Sequence, residues 1–275
     1  TEGNCYGLIG ANGAGKSTTI KMLSGILVPT SGTVSVNGIL PYRNRKENAQ
    51  NIGIVFGQRS QLNWDLPMED TFQLYKQMYH IDDKTFQKNV SMFTELLAME
   101  SFLRKPVRQL SLGQKMRAEL AIAMLHNPQI LYLDEPTIGL DVLVKDHIRT
   151  FIRELNKEQH TTVILTTHDM KDIDTICDRV IFIDKGAVLA DSSLEKFKNS
   201  HSESYFIRIL YEHQKQPVNY PGVVCVAEKE HDVTYQVDKR AMSVNAFLQI
   251  LLDSFEIRDI EIHQEGIEEI VKKLY

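Results

Sequence analysis

No stretch of this sequence carries the roughly 18 consecutive apolar residues that a membrane-spanning helix requires, and no leader-like segment opens it. Any connection to a membrane is therefore expected to run through a partner. Cysteine is scarce. Cys5, Cys177 and Cys225 stand far apart with no Cys-x-x-Cys pair, which argues against a disulfide framework or a zinc site and fits a reducing compartment. All three have apolar neighbours and are expected in the core. Positive charge is not in excess. The net charge is −5 and no basic stripe is present, so a nucleic-acid partner held by general electrostatics is not expected. Internal repeats and low-complexity tracts are also missing. What is present, 275 residues at 43% hydrophobic and 24% charged, suits one large globular domain with or without a small appendage.

Cys5–Ile9 reads as a short buried strand. It runs into a glycine-rich loop and then an amphipathic stretch, residues 18–27, the strand–loop–helix unit of a phosphate-binding fold. Residues 33–36 alternate before Asn37-Gly38, a strong hairpin signal, and Ile52–Phe56 is a second buried strand ending at Gly57-Gln58. From about 66 to 126 the periodicity turns helical, with apolar spacing over 71–79, 85–99 and 113–126. Ser111 is placed to cap the last of these. Strands return at 130–133 and Thr162–Thr166, separated by a helix over 142–158, and a hairpin over 180–191 turns about Gly186. Strands alternating with helices predict a largely parallel sheet covered on both faces. Residues 198–204 are polar and linker-like. The tail from 204 to 275 reads as a small separate α+β domain: strands at 205–211, 223–227, 234–237 and 257–263, and helices over Val244–Ser254 and Ile267–Leu274.

Two motifs carry chemistry. Gly10-Ala11-Asn12-Gly13-Ala14-Gly15-Lys16-Ser17 fits the pattern GxxxxGK[ST]. Its glycines let backbone N–H groups close around phosphate oxygens at a helix N-terminus. Lys16 can reach the β- and γ-phosphates of ATP, Ser17 can place its hydroxyl on Mg²⁺, and Thr18 is set for a further phosphate. The second motif is an apolar strand running into two adjacent carboxylates, Asp134 and Glu135. Successive strand residues point oppositely, so the pair can divide its labour. Asp134 is expected to hold the metal through its water shell, and Glu135 to orient the attacking water. A solvated pair of carboxylates at a strand end is the ordinary reading of such residues, and the phosphate loop is what displaces it.

With these in place the chain resembles the ATP-binding subunits of ABC transporters. Leu110-Ser111-Leu112-Gly113-Gln114 is similar to the family's signature, Gln58 to its Q-loop glutamine, Gly139-Leu140-Asp141 to its D-loop and His168 to its switch histidine. The resemblance runs from Gly10 to about residue 194. It implies a phosphate-loop ATPase fold over 1–197, of α/β class with a helical subdomain at about 66–126, followed by the α+β tail. It further implies head-to-tail pairing with a second ATPase subunit, each ATP lying between one subunit's phosphate loop and the other's Ser111, Gly113 and Gln114. An uncapped, anion-ready end is expected for the helix after Ser111. Gln58 is implied to touch Mg²⁺ or the water, and His168 to contact the γ-phosphate and steady Glu135. A lone histidine at a strand end is otherwise usually structural, and His126, His147 and His160 are given no role.

The sequence departs from the family pattern twice. Leu112 stands where the signature usually has glycine, a variant resembling export-type ATPases whose membrane permease is a separate polypeptide, at the cytoplasmic face of the membrane. The second departure is at the front. Residue 1 is Thr and the phosphate loop starts nine residues later, so the chain reads as trimmed, without the family's adenine-stacking aromatic. Trp64 is placed to face the permease or to pack. The implied function is an ATPase powering export of a drug-like, antibiotic or lipid-like solute. Importer subunits and soluble ABC ATPases are the alternatives.

Overall fold

The computed structural model describes residues 2–57 and 60–274. The chain divides into two compact units, one up to Leu194 and one from Glu195 onward.

The first unit follows the order β1 (Cys5–Ile9), α1 (Lys16–Leu23), α2 (Arg45–Asn51), β2 (Ile52–Phe56), α3 (Met68–Tyr79), α4 (Asp83–Leu96), α5 (Leu112–Met124), β3 (Ile130–Asp134), α6 (Val142–Gln159), β4 (Thr162–Thr166), α7 (Met170–Ile176), β5 (Arg179–Asp184) and β6 (Ala187–Ser193). Its six-stranded sheet has the order β2-β3-β4-β1-β5-β6. Pairing is parallel from β2 through to β5, and only β6 runs antiparallel, joined to β5 by a tight turn. The apolar strands are buried on both faces, as a parallel sheet requires. Ile20 of α1 packs with Val36, Ile52 and Tyr132 on one face. On the other, α5 passes so close to β2 that a Cβ at Gly53 would overlap the Ala123 carbonyl oxygen. This order brings the C-terminal ends of β1, β3 and β4 side by side, where an open α/β sheet takes its ligand.

Three local expectations change. The helix expected over 18–27 ends at Leu23, because Gly25 turns left-handed at φ 79° and leaves Ile26 and Val28 exposed. The hairpin at 33–39 shrinks to a single bridge, Val36 to Ile39. Asn37 and Gly38 still take the positive φ values, 50° and 79°, of a two-residue turn. Residues 198–204 are not a plain linker, since α8 (Leu194–His201) covers most of them. Phe197 is buried there with its ring 4.6 Å from that of His201, one turn on, and the polar residues form the helix's outer face.

The second unit continues with β7 (Ser204–Gln214), β8 (Val223–Lys229), β9 (Asp232–Asp238), α9 (Val244–Ser254), β10 (Phe255–Gln264) and α10 (Ile267–Leu274). Its four-stranded antiparallel sheet has the order β10-β7-β9-β8. Alternate residues Ile207, Ile209, Val233, Tyr235 and Val237 face Phe247 and Leu251 of α9, which gives the unit its own core. Ser243 caps α9 by accepting from Ala246 N. Cys225 departs from expectation. It lies exposed on β8, an edge strand, while Cys5 and Cys177 are buried.

Candidate functional site

The loop between β1 and α1 is shaped by what its glycines permit. Gly10 has no room for a Cβ, which would overlap the Ile183 carbonyl oxygen, and Gly15 caps α1 at φ 109°. The chain thus wraps tightly around the start of a helix whose first N–H groups are free for an anion. Asn12, Gly13 and Thr18 are exposed at its rim, whereas Ala14 and Lys16 are buried. Lys16 folds back over the loop, its Nζ donating to Gly10 O at 2.8 Å and Ala11 O at 3.0 Å. Burial lowers its pKa, and the nearby charges of Glu135 and Asp134 oppose that shift.

Register carries β3 into this loop. Asp134, paired with Thr166 across β3 and β4, accepts hydrogen bonds on Oδ1 from Ser17 Oγ at 3.0 Å and Thr166 Oγ1 at 2.6 Å. The next residue breaks from the strand. Glu135 has φ 57°, a left-handed conformation that a residue with a side chain adopts only when its surroundings enforce it. Two contacts do so. Glu135 N donates to Thr166 O at 2.9 Å, and Gly57 N donates to Asp134 O at 2.8 Å. A Cβ at Gly57 would overlap the Glu135 carbonyl oxygen, so that approach needs glycine. The turn presents the Glu135 carboxylate to His168, whose Nε2 lies 3.0 Å from Glu135 Oε1. Glu135 is mostly buried and His168 about half exposed, an arrangement able to grip a water molecule at an opening. The hydroxyl of Ser17 and carboxylate of Asp134 are hard oxygen donors in mutual contact, a set that fits Mg²⁺ bound mainly by water and phosphate.

The Ser111 group is organised differently. Ser111 caps α5 in a capping box, its Oγ accepting from Gln114 N at 3.2 Å while Gln114 Oε1 accepts from Ser111 N at 3.0 Å. Ser111 therefore caps the helix, as its position suggests, and the end is not the uncapped one that the resemblance implied, although the Ser111 hydroxyl proton stays available to an outside acceptor. Leu112 is half exposed and lies against Gly139, and Gly113 sits where a Cβ would press on Val144 at 3.1 Å. The signature and the D-loop thus touch within one chain. Among the described residues no hydrogen bond or ion pair joins Ser111, Gly113 or Gln114 to the phosphate loop. Gln58 lies outside the described residues, and Gly57 before it forms a turn at the end of β2. Trp64 is exposed with Lys115 Nζ 4.4 Å from its ring centre. His126 is structural: its Nε2 donates to Ile52 O at 3.1 Å and its ring stacks on Tyr79. Burial lowers its pKa to about 4. Sequence reasoning missed Thr166, whose grip on Asp134 depends on strand order, and the buried residues behind Glu135 and His168 described below.

A strand, glycine loop and helix facing a carboxylate at the end of the next parallel strand but one define a phosphate-loop ATPase. The family model for ABC transporters matches residues 1–138, and the chain belongs to that family. It is an ATP-binding, ATP-hydrolysing cassette. The ATP-binding protein NatA of Bacillus subtilis is 30% identical over 72% of this chain and 80% of its own length. The linearmycin resistance ATP-binding protein LnrL of the same organism is 34% identical over 69% of the chain and 60% of its own. ABC transporter A family member 6 of Dictyostelium discoideum is 28% identical over 99% of the chain, which spans only 17% of that protein. Among solved structures, the cassette MJ0796, a dimer in a post-hydrolysis state with ADP and Pi, superposes with a TM-score of 0.63 at 28% identity, covering 70% of this chain and 87% of that one. No helix among the described residues is long and apolar enough to cross a membrane.

Proposed function

We propose that this chain is the ATPase subunit of an exporter, paired head to tail with a second such subunit and working on a separate membrane permease from the cytoplasmic face. One observation carries the pairing. Lys16, Ser17, Asp134, Glu135 and His168 gather at one end of the sheet, while the Ser111 group is engaged with the D-loop and not with that end. A complete site then needs the signature of a neighbour, in line with the dimeric state of MJ0796. Export is favoured by Leu112 and by the antibiotic-resistance role in the name of LnrL. The solute fits the drug-like, antibiotic or lipid-like class, and the tail from 204 serves dimerisation or coupling.

In this reading the phosphate loop, with Asn12 and Thr18 at its rim, holds the β- and γ-phosphates on its backbone N–H groups. Lys16 exchanges its two carbonyl partners for phosphate oxygens. Ser17, and Asp134 through a water shell, would hold Mg²⁺, with Gln58 touching it or the attacking water, and the ion would supply positive charge to offset that of the phosphates. Glu135 accepts a hydrogen bond from the water in line with the γ-phosphorus, and His168 fixes Glu135 and touches a γ-oxygen. The water oxygen bonds to phosphorus as the bond to the β–γ bridging oxygen breaks, and the water's proton passes towards Glu135. Most of the rate comes from placement and charge. Loss of the γ-phosphate removes what the partner's Ser111 and Gly113 held, and the pair opens.

Glu135→Gln tests the scheme. ATP binding should persist and dimers accumulate on size-exclusion chromatography, while kcat falls by at least about 100-fold. Undiminished hydrolysis would remove Glu135 from its role. Co-purification of a solute-receptor protein with the permease would favour import over export.

A further inference from the structure

Behind the Glu135–His168 pair lies a buried polar knot that the steps above leave unused. Asp172, in the first turn of α7, is 0% exposed. Its Oδ2 accepts hydrogen bonds from Thr137 Oγ1 at 2.5 Å and Thr167 Oγ1 at 2.7 Å. Its Oδ1 receives Arg149 Nε and Nη2, both at 2.7 Å. Arg149, on α6, is itself buried and reaches further, with Nη2 at 3.0 Å from Asp169 Oδ2 and Nη1 at 2.8 Å from Asp146 Oδ1. Lys145 closes the set on Asp169 at 2.7 Å, and Asp169 N donates to the Thr167 hydroxyl.

The positions of these groups in the chain matter as much as their contacts. Thr137 follows Glu135 by two residues, and Thr167 immediately precedes His168. Both threonines are buried, with their hydroxyls committed to Asp172. One carboxylate therefore anchors the two loops that carry Glu135 and His168. Through Arg149 it also fastens them to α6, the helix that begins directly after Gly139–Asp141. A buried ion pair is a poor source of stability, because well-packed apolar residues of similar volume do as well or better. What it supplies is a single geometry, since four donors meeting two oxygens admit few alternatives. Glu135 and His168 have to hold a 3.0 Å contact across two separate loops, one of them in a left-handed turn. Displacements of about 1 Å in such a site are costly to rate.

We propose that Asp172 is a positioning residue for ATP hydrolysis, holding the loops of Glu135 and His168 in register through Thr137 and Thr167 and tying both to α6 through Arg149. The inference rests on the reading of Glu135 and His168 given under Proposed function. Removing Asp172 or Arg149 would strand a buried charge and threaten folding, so the threonines are the better probes. Thr137→Val with Thr167→Val keeps volume and removes both hydroxyl donors. Thr137→Ser with Thr167→Ser keeps the donors and loses two methyl groups. The double Val variant should lose about tenfold in kcat while its KM for ATP stays within about twofold of the parent, and the double Ser variant should keep most of the parent's kcat. Melting temperatures measured alongside show whether each variant is folded at assay temperature. A folded double Val variant with unchanged kcat, or a Ser pair as impaired as the Val pair, overturns the proposal. Glu135→Gln is run in parallel. If it is inactive and the Val pair is not, only the role of Asp172 fails. If Glu135→Gln hydrolyses ATP normally, the reading beneath fails and takes this inference with it.

Discussion

Up to Leu194 the interior carries charge and strain. Lys16, Glu119, Arg149 and Asp172 are all buried, and Glu135 is held in a left-handed turn at the mouth of the site. From Glu195 onward the main core cluster, Ile207 to Phe255, contains no charged side chain. Among the described residues the one buried carboxylate there, Glu265, sits outside that cluster and is satisfied by Lys273 and by Glu203 N. The two units also differ in how they pair strands, largely parallel with long crossovers in the first and antiparallel in the second, where a tight turn joins only β8 to β9. Polar burial costs free energy unless every partner is in place. The first unit accepts that cost where geometry has to be unique, and the main core of the second does without it.

The largest effect that would test this contrast lies in the second unit. Phe247→Ala should open a cavity under α9 and cost about 3–5 kcal/mol of that unit's stability, visible as a lowered melting transition. ATP turnover measured below that transition should be unchanged, and a matching loss of turnover would erase the contrast. A smaller effect belongs to His126 in the first unit. Its pKa of about 4 in the fold lies below the ordinary 6.5, so the unfolded chain takes up the proton first as pH falls. Its contribution is fully present above pH 6.5 and is lost as pH drops towards 4. His126→Gln should therefore flatten the fall of the urea midpoint across that window, and an unaltered slope would place the acid sensitivity elsewhere. The smallest effect is at the capping box, where Ser111→Ala should cost the nucleotide-free protein about 1 kcal/mol in denaturant titration. A loss near zero would mean that the Ser111 hydroxyl does not hold this helix end in solution.

Much of the first unit could be read from sequence because its signals are local. The phosphate loop is contiguous, and the runs before Gly10 and Asp134 could be little other than buried strands. The tail's strands and helices followed their own periodicity equally well. What escaped was set by assembly. Nothing near Thr166 announces that it will face Asp134, since that depends on β3 and β4 being neighbours. Asp172 is one of several acidic residues in a polar stretch, and only the fold brings Thr137, Thr167 and Arg149 to it. Cys225 looked like a core residue because its neighbours are valines, yet those valines lie on an edge strand and Val224 and Val226 are exposed with it. The polar surface of α8 hid a helix that a single buried Phe197 holds down.

Gly57 makes no claim on chemistry, having no side chain to offer, and yet it is packed against the carbonyl of Glu135 with no space for a methyl group. Any variant there would tilt the turn that aims the carboxylate. In a genetic screen such a change would be scored beside lesions of Glu135 itself, and a map of mutational tolerance for this chain should show a silent glycine as intolerant as the residue it supports.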